Sequence, residues 1–335
     1  MPAGITQDDG MAFVGRRPWH DLGTYVEGEA MTAAQAIEAA SLDWEVVTEP
    51  VYRHIPADDW RPTHFKEIEG KRAVVRQDTG EVFGIMTPRY TPFQNLHSFD
   101  LVDAVVGTGD AVFHTVGSLF GGRRIWMLLK LQGDYTLDNG EKLESFILLD
   151  NSHDGTSALR MRLTPIRVVC ANTLGAATGK QAAFYSRHTS GIMDRANEAR
   201  DLLGLNAVYM ERFMAQANRI AEERFSSFDM ERLTRTVLYL DPDKDLGKQH
   251  GVKATAGLKL MELFRYGVGN FGETRWDAYN AVTEYLDYSK GGRSVGSVDS
   301  VSDTDVNRRL ENSWFGSGNQ MRERAWGILT QPTGQ

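Results

Sequence analysis

One cysteine, Cys170, stands among 335 residues. Internal disulfides and cysteine-rich zinc sites are thereby excluded, and a reducing cytoplasm is the expected compartment. No apolar run approaches the ~20 residues that a membrane-spanning helix needs, so no membrane partner is expected. The opening residues, MPAGITQDDG, hold no cationic stretch followed by an apolar one, and a secretory signal is not expected. An excess of positive charge is missing too: 37 Lys and Arg face 45 Asp and Glu, a formal net charge of -8. That balance argues against coating nucleic acid by bulk charge. It is compatible with one basic groove on an acidic body, because phosphate contacts are local. With 41% hydrophobic and 24% charged residues, the chain reads as globular rather than disordered. Its length suits two domains, or one large domain with extensions.

The most informative absence is local. After Asp154 no acidic residue occurs until Asp194, and Arg160, Arg162, Arg167, Lys180 and Arg187 fall between them. Like charges repel, so an acid-free basic segment is a solvated face or an anion-binding surface. Within it, Leu159, Met161 and Leu163 alternate with Arg160 and Arg162. This is the period-two pattern of a strand with an apolar core face and a cationic outer face. Pro165 is expected to interrupt that strand before Arg167.

Residues 1–190 read as a β-rich α+β part. Thr32 suits the N-cap of a short helix through Ala40, and residues 44–51 suit a strand. Residues 73–85 read as a hairpin with an Asp/Gly turn. Asn95 suits the N-cap of a helix carrying Leu96, Phe99, Val102 and Val106. Further strands are expected at 113–116, 124–131, 145–149 and 158–169. Residues 191–335 then read as helical: 194–225, with Leu202, Leu205, Val208, Tyr209, Phe213, Ala217 and Ile220 near one face, then 229–239, 254–266, 274–288, 305–314 and 319–329. The expected fold class is α+β, an antiparallel β-rich body followed by a helical region that either stands alone or shares its core. The loops 241–253 and 290–302 are polar or Gly/Ser-rich.

Several motifs invite a chemical reading. Residues 175–181, GAATGKQ, imitate a P-loop, but the glycine spacing is one short and Gln181 replaces the hydroxyl that meets magnesium, so a nucleoside triphosphatase is rejected. Residues 267–272, GVGNFG, fit G-x-G-x-x-G but follow a helix instead of a strand, so a helix stop is the better account. Cys170 with Asn172 imitates part of a thiol-nucleophile set, yet Cys170 ends an apolar run and suits core packing. His153-Asp154 imitates a metal-binding pair, against which stands a plain Asp-Gly turn. Gly121-Gly122-Arg123-Arg124-Ile125-Trp126 sets cations beside an aromatic, the combination that holds single-stranded nucleic acid by phosphate pairing and base stacking.

Taken in order, WHDLG at 19–23, RQDTG at 76–80, YTPFQN at 90–95, GGRRIW at 121–126, NSHDG at 151–155, RVVCANTL at 167–174 and NAVTEY at 280–285 resemble the phage/plasmid-like protein family, of unknown function and carried by bacteriophages, prophages and plasmids. The resemblance spans nearly the whole chain. It implies a mobile-element protein of the bacterial cytoplasm and supplies no catalytic residues. The order of strands, hairpin, Tyr90-x-Pro92 and helix is also similar to the core of phage single-strand annealing proteins, which line a basic groove with single-stranded DNA and form rings. This second likeness is fold-level analogy.

The leading expectation is a non-enzymatic protein that binds or anneals single-stranded DNA in replication or recombination, with no cofactor or metal and with homo-oligomers as a further partner. Arg123, Arg124, Arg160, Arg162, Arg167, Lys180 and Arg187 are the candidate phosphate contacts, and Trp126 and Tyr185 the candidate stacking residues. Two alternatives stay open: a metal-dependent enzyme acting on nucleic acid or nucleotides around His153 and Asp154, and a protein-binding factor that modifies the host.

Overall fold

Five consecutive apolar residues, Ile125, Trp126, Met127, Leu128 and Leu129, leave a strand no side that can face water. In the computed structural model all five are buried in the middle of a sheet. The structure describes residues 10–15, 23–28, 30–106, 111–167, 172–173, 183–192, 201–241, 246, 251–289 and 316–332. The expected helix at 305–314, the loop 290–302, Cys170 and the glycine-rich segment 175–181 lie outside them, as do most residues of the loop 241–253.

The main sheet is built from β1 (Met11–Phe13), β2 (Thr24–Tyr25), β6 (Ala111–Leu119), β7 (Arg124–Thr136), β8 (Lys142–Ser152), β9 (Leu159–Arg167), β10 (Asn172–Thr173) and β11 (Ala183–Ser186). Its order is β10-β9-β8-β7-β6-β1-β2, with β11 pairing β9 beside β10. From β6 to β9 the strands form an antiparallel meander, and among the described residues only β1 and β2 pair in parallel. A second, three-stranded antiparallel sheet holds β3 (Val46–Ile55), β4 (His64–Arg76) and β5 (Val82–Met86). Helices α1 (Ala33–Ala39) and α2 (Asn95–Val106) belong to this first half. Met127, Leu129, Ile147, Leu149, Met161 and Leu163 face one apolar cluster together with Phe93, Phe99 and Val74. Trp126, Leu128, Phe146 and Leu148, one residue out of phase, face a smaller cluster with Phe13 on the other side of the sheet.

Local chemistry sets the element ends. Thr32 accepts from the amide of Gln35 while Gln35 reaches back to the amide of Thr32, a capping box that starts α1 as expected. Asn95 behaves otherwise: its side-chain amide donates to the carbonyls of Leu42 (3.1 Å) and Trp44 (3.3 Å), tying α2 to the chain that enters β3. Its Oδ1 then faces Nε2 of His153 at 2.9 Å. Because the Asn95 oxygen is the acceptor, His153 carries its proton on Nε2. The ring is fully buried, stacked on Phe83 and edge-on to Trp44. Pro165 does not end its strand, contrary to expectation. It pairs with Ser145 of β8 on one side, and on the other neither β10 nor β11 engages it among the described residues.

The second half is helical: α3 (Asp201–Glu222), α4 (Ser227–Leu238), α5 (Val252–Tyr266), α6 (Arg275–Glu284), a π-turn (Tyr285–Ser289) and α7 (Ser317–Leu329). Capping boxes at Ser226/Asp229 and Thr274/Asp277 start α4 and α6. Helix α6 is buried from Trp276 to Thr283 and forms the centre of this half. Leu137 and Leu143, at the β7–β8 turn, enter its apolar cluster, and Trp276 donates to Glu141 there at 3.0 Å. Helix α3 gives Tyr209 and Met210 to the sheet's cluster and Phe213, Ala217 and Ile220 to the helical one. Among the described residues, no helix is long and apolar enough to cross a membrane.

Two fully buried polar features test this packing. The π-turn carries Asp287, which pairs with Arg322 of α7 where neither side chain meets water. Arg322→Met removes the guanidinium that neutralises buried Asp287 and is expected to destabilise the fold by about 3–5 kcal/mol in urea titrations, with Asp287→Leu added to it recovering most of the loss. The second is protonation. Burial pushes His153 down to about 3, and His114 and His188 down to about 4. The unfolded chain takes up those protons near pH 6.5, so it binds more protons than the folded chain below that pH. Stability is complete above about pH 6.5 and is lost as pH falls towards the folded values, by up to about 1.4 kcal/mol per pH unit and group. His153→Gln, with one such group fewer, is expected to show a shallower decline of unfolding free energy between neutral pH and about pH 4.

Candidate functional site

Alternation along β11 sends Phe184, Ser186 and His188 inward and leaves Tyr185 and Arg187 outside. Tyr185 stands opposite Arg160 on β9 and is 51% exposed. Beside it opens a cleft of about 520 Å³. Its walls come from the root of β4 (Lys71), the end of β5 and the chain beyond it (Met86 to Tyr90), the turn 155–158, and Tyr185 to Thr189. Lys71, Arg89 and Arg187 are exposed cations on this wall, and among the described residues no carboxylate lines it. Among the described residues, no carboxylate pairs with any of the three.

The remaining groups are neutral or internally satisfied. His188 is buried and stacks on Tyr90 at 5.1 Å between ring centroids. Desolvation holds its pKa at about 4, so it is neutral at pH 7. The Tyr90 hydroxyl donates to the carbonyls of Ser152 and His153, at 3.3 Å each, and burial, with Asp154 nearby, pushes its pKa upward. Asp154 accepts from the Thr156 amide (3.0 Å) and hydroxyl (2.6 Å), the expected Asp-Gly turn. Gly155 closes that turn at φ +74°, and a Cβ there would stand 2.5 Å from the Met86 methyl. The net charge of the lining at neutral pH is therefore set by Lys71, Arg89 and Arg187.

The other residues singled out from the sequence lie elsewhere. Arg160 and Arg162 do project from the face opposite Leu159, Met161 and Leu163, but they do not form a solvated cationic surface. Both converge on Asp150 of β8, which has no exposure: Arg160 Nη2 lies 2.6 Å and Arg162 Nη2 3.3 Å from its oxygens. Burial pulls the pKa of Arg162 below its ordinary value while Asp150 opposes that shift. Arg123 pairs with Glu81 at 2.8 Å and lies over Phe83. Arg124 is buried, and Trp126, 1% exposed, belongs to the cluster with Phe146, so stacking on a base is closed to it in this arrangement. Arg167 ends β9 with its side chain outside the described residues, and Lys180 lies outside them altogether. The structure thus brings Tyr185 and Arg187 together with Lys71 and Arg89, two cations that sequence reasoning missed. Arg89 directly precedes the Tyr90-x-Pro92 motif, which was the available signal.

His153 is sealed by Asn95, Trp44 and Phe83 and reaches no surface on which a metal-bound substrate would sit. Among the described residues, no three His, Cys, Asp or Glu side chains gather to hold a metal ion.

A family profile, described as a domain of unknown function (DUF932), matches residues 82–314. The match begins at the first residue of β5, so it takes in Arg89, Tyr185 and Arg187 of the cleft, while Lys71 precedes it. No curated protein and no solved structure matches the chain. With well over half of its length matched, the chain belongs to the family defined by the domain of unknown function DUF932.

Proposed function

We propose that this protein binds single-stranded DNA without catalysis of its own, and that the cleft between β5, the turn 155–158 and β11 is where the strand is held. One observation carries the reading: on a chain of net charge -8, three cations without a carboxylate partner among the described residues surround an exposed tyrosine. Cations that track phosphates beside a ring that stacks on bases are the two components of sequence-tolerant strand binding. Lys71, Arg89 and Arg187 position the phosphates, and Tyr185 is the stacking platform. Strand annealing in the replication or recombination of a phage or plasmid, by a cytoplasmic homo-oligomer, is the role that the sequence resemblances support.

The test is affinity for an oligonucleotide across a salt series. Each phosphate contact on a single strand contributes a slope of roughly -0.7 in log affinity against log salt, so Arg89→Gln with Arg187→Gln is expected to flatten the slope by about 1.4. The melting curve should stay where it was, because exposed charges remote from packed features cost little. Arg160→Gln with Arg162→Gln reverses that pattern. It strips the counter-ions from Asp150, is expected to cost about 3–5 kcal/mol of stability, and leaves the salt slope of the folded fraction unchanged. No binding by the unaltered protein at low salt, or an unchanged slope in the folded Arg89/Arg187 variant, overturns the reading.

A further inference from the structure

The β3–β4 hairpin continues past the body as a two-stranded ribbon. Strand β5 pairs β4 only from Arg72 to Val75, and beyond that point Tyr52, Arg53, His54 and Ile55 of β3 pair with Glu67, Lys66, Phe65 and His64 of β4. Residues 56–70 are all exposed. The tip is nevertheless a built turn. Asp58 accepts from the amides of Trp60 (2.9 Å) and Arg61 (2.7 Å), and its own amide donates to the Arg61 carbonyl at 3.0 Å. This turn holds Trp60 91% exposed, whereas Trp44, Trp126, Trp276 and Trp326 are buried.

The two faces of the ribbon differ. Register places Tyr52, His54, Phe65 and Glu67 on one face. His54 and Phe65 touch there at 5.5 Å between centroids, Tyr52 is their diagonal neighbour, and Tyr52 and Phe65 are 54% and 69% exposed. Glu67 on this face is neutralised by Arg72 at 2.8 Å, and a second exposed acid, Glu69, follows two residues on. The other face sets Arg53 directly opposite Lys66. Like charges in that position destabilise a ladder, and among the described residues no carboxylate pairs with either. A ligand that relieves this pair brings negative charge, and one that covers the opposite face brings flat rings. A single nucleic-acid strand offers both along one chain.

We propose that the β3–β4 ribbon is a second contact for single-stranded DNA, an arm that stacks bases on Tyr52, Phe65 and Trp60 and draws phosphates to Arg53 and Lys66. The inference rests on the cleft reading above, and the two are continuous, since Lys71 stands at the root of the arm and on the wall of the cleft. The strand held at Arg89 and Arg187 passes Lys71 and continues onto the ribbon.

The experiment measures the anisotropy of a fluorescent oligo-dT over a salt series, with light scattering for oligomeric state and circular dichroism for folding. It compares the full chain with Arg53→Gln/Lys66→Gln, Trp60→Ala, Trp60→Phe and the cleft variant Arg89→Gln/Arg187→Gln. The Arg53/Lys66 variant is expected to flatten the salt slope by about 1.4. Trp60→Ala is expected to weaken binding about tenfold with the slope unchanged, and Trp60→Phe to restore most of it. The arm lies outside the apolar clusters, so these variants fold. If they bind as the unaltered protein does while the cleft variant weakens, the arm proposal is overturned and the cleft stands. If they change the oligomeric state with no change in affinity per protomer, the arm is a contact between copies and the proposal is overturned. If they weaken binding while the cleft variant does not, the arm stands and the cleft reading falls. No binding by the unaltered protein overturns both.

Discussion

A carboxylate with no exposure to water has to be neutralised where it sits, and Asp150 is neutralised by two arginines of the neighbouring strand. The β8–β9 register puts Arg160 directly across from Asp150, and Arg162 follows two residues on, on the same side. A slip of one residue would remove both guanidinium groups from the carboxylate and turn Leu159, Met161 and Leu163 out of their cluster. The ion pair and the apolar alternation therefore enforce the same register. This constraint also decides where the protein can meet an anion. Arg160 and Arg162 are committed to Asp150, so cations from other elements have to supply any external site.

Buried polar pairs recur at the other junctions of the fold. His153 and Asn95 join the end of β8 to α2 and, through the Asn95 amide, to the entry of β3. Asp287 and Arg322 join the π-turn to α7. Apolar contacts tolerate sliding at modest cost, whereas a buried donor that loses its acceptor is expensive. Each pair therefore holds its two elements to one mutual placement. The neutral state of His153 belongs to the same logic: Nε2 donates to Asn95, and protonation of the buried Nδ1 would place a charge among Trp44 and Phe83.

Much of this architecture is legible in the sequence, because short-range patterns specify it. The alternation at 159–163, the Thr32 cap and the Asp-Gly turn at 154–155 each depend on residues a few positions apart. The candidate site is legible only in part, because charge compensation is a long-range property. Nothing near Arg160 in the sequence announces that its partner lies ten residues upstream across a hairpin. Lys71, Arg89 and Arg187 come from separate elements, and only the meeting of β4, β5 and β11 makes them neighbours. Trp126 stands beside two arginines in the sequence, but the run Ile125–Leu129 of its strand is buried on both faces and hides its ring. Tyr185 and the arm's Tyr52, Trp60 and Phe65 are exposed instead, as are Tyr25, Phe228, Tyr239, Tyr266 and Phe271 elsewhere, and Tyr52 and Phe65 follow the same alternation without a body to cover them.

On the proposed reading, the acidic remainder of the chain would shape how the cleft meets a strand. At physiological ionic strength, charges more than about 8 Å apart across solvent are largely screened. The net charge of -8 is therefore felt by an approaching polyanion mainly at low salt, where it opposes encounter. The cations of the cleft would act at contact, where among the described residues no carboxylate pairs with them. Salt thus relieves the long-range repulsion and weakens the short-range pairing at once. On the proposed strand-binding reading, affinity concentrated at a few cations of an acidic body would confine a bound strand to that one track. A uniformly basic protein of the same size would bind the strand more tightly and leave its path unspecified.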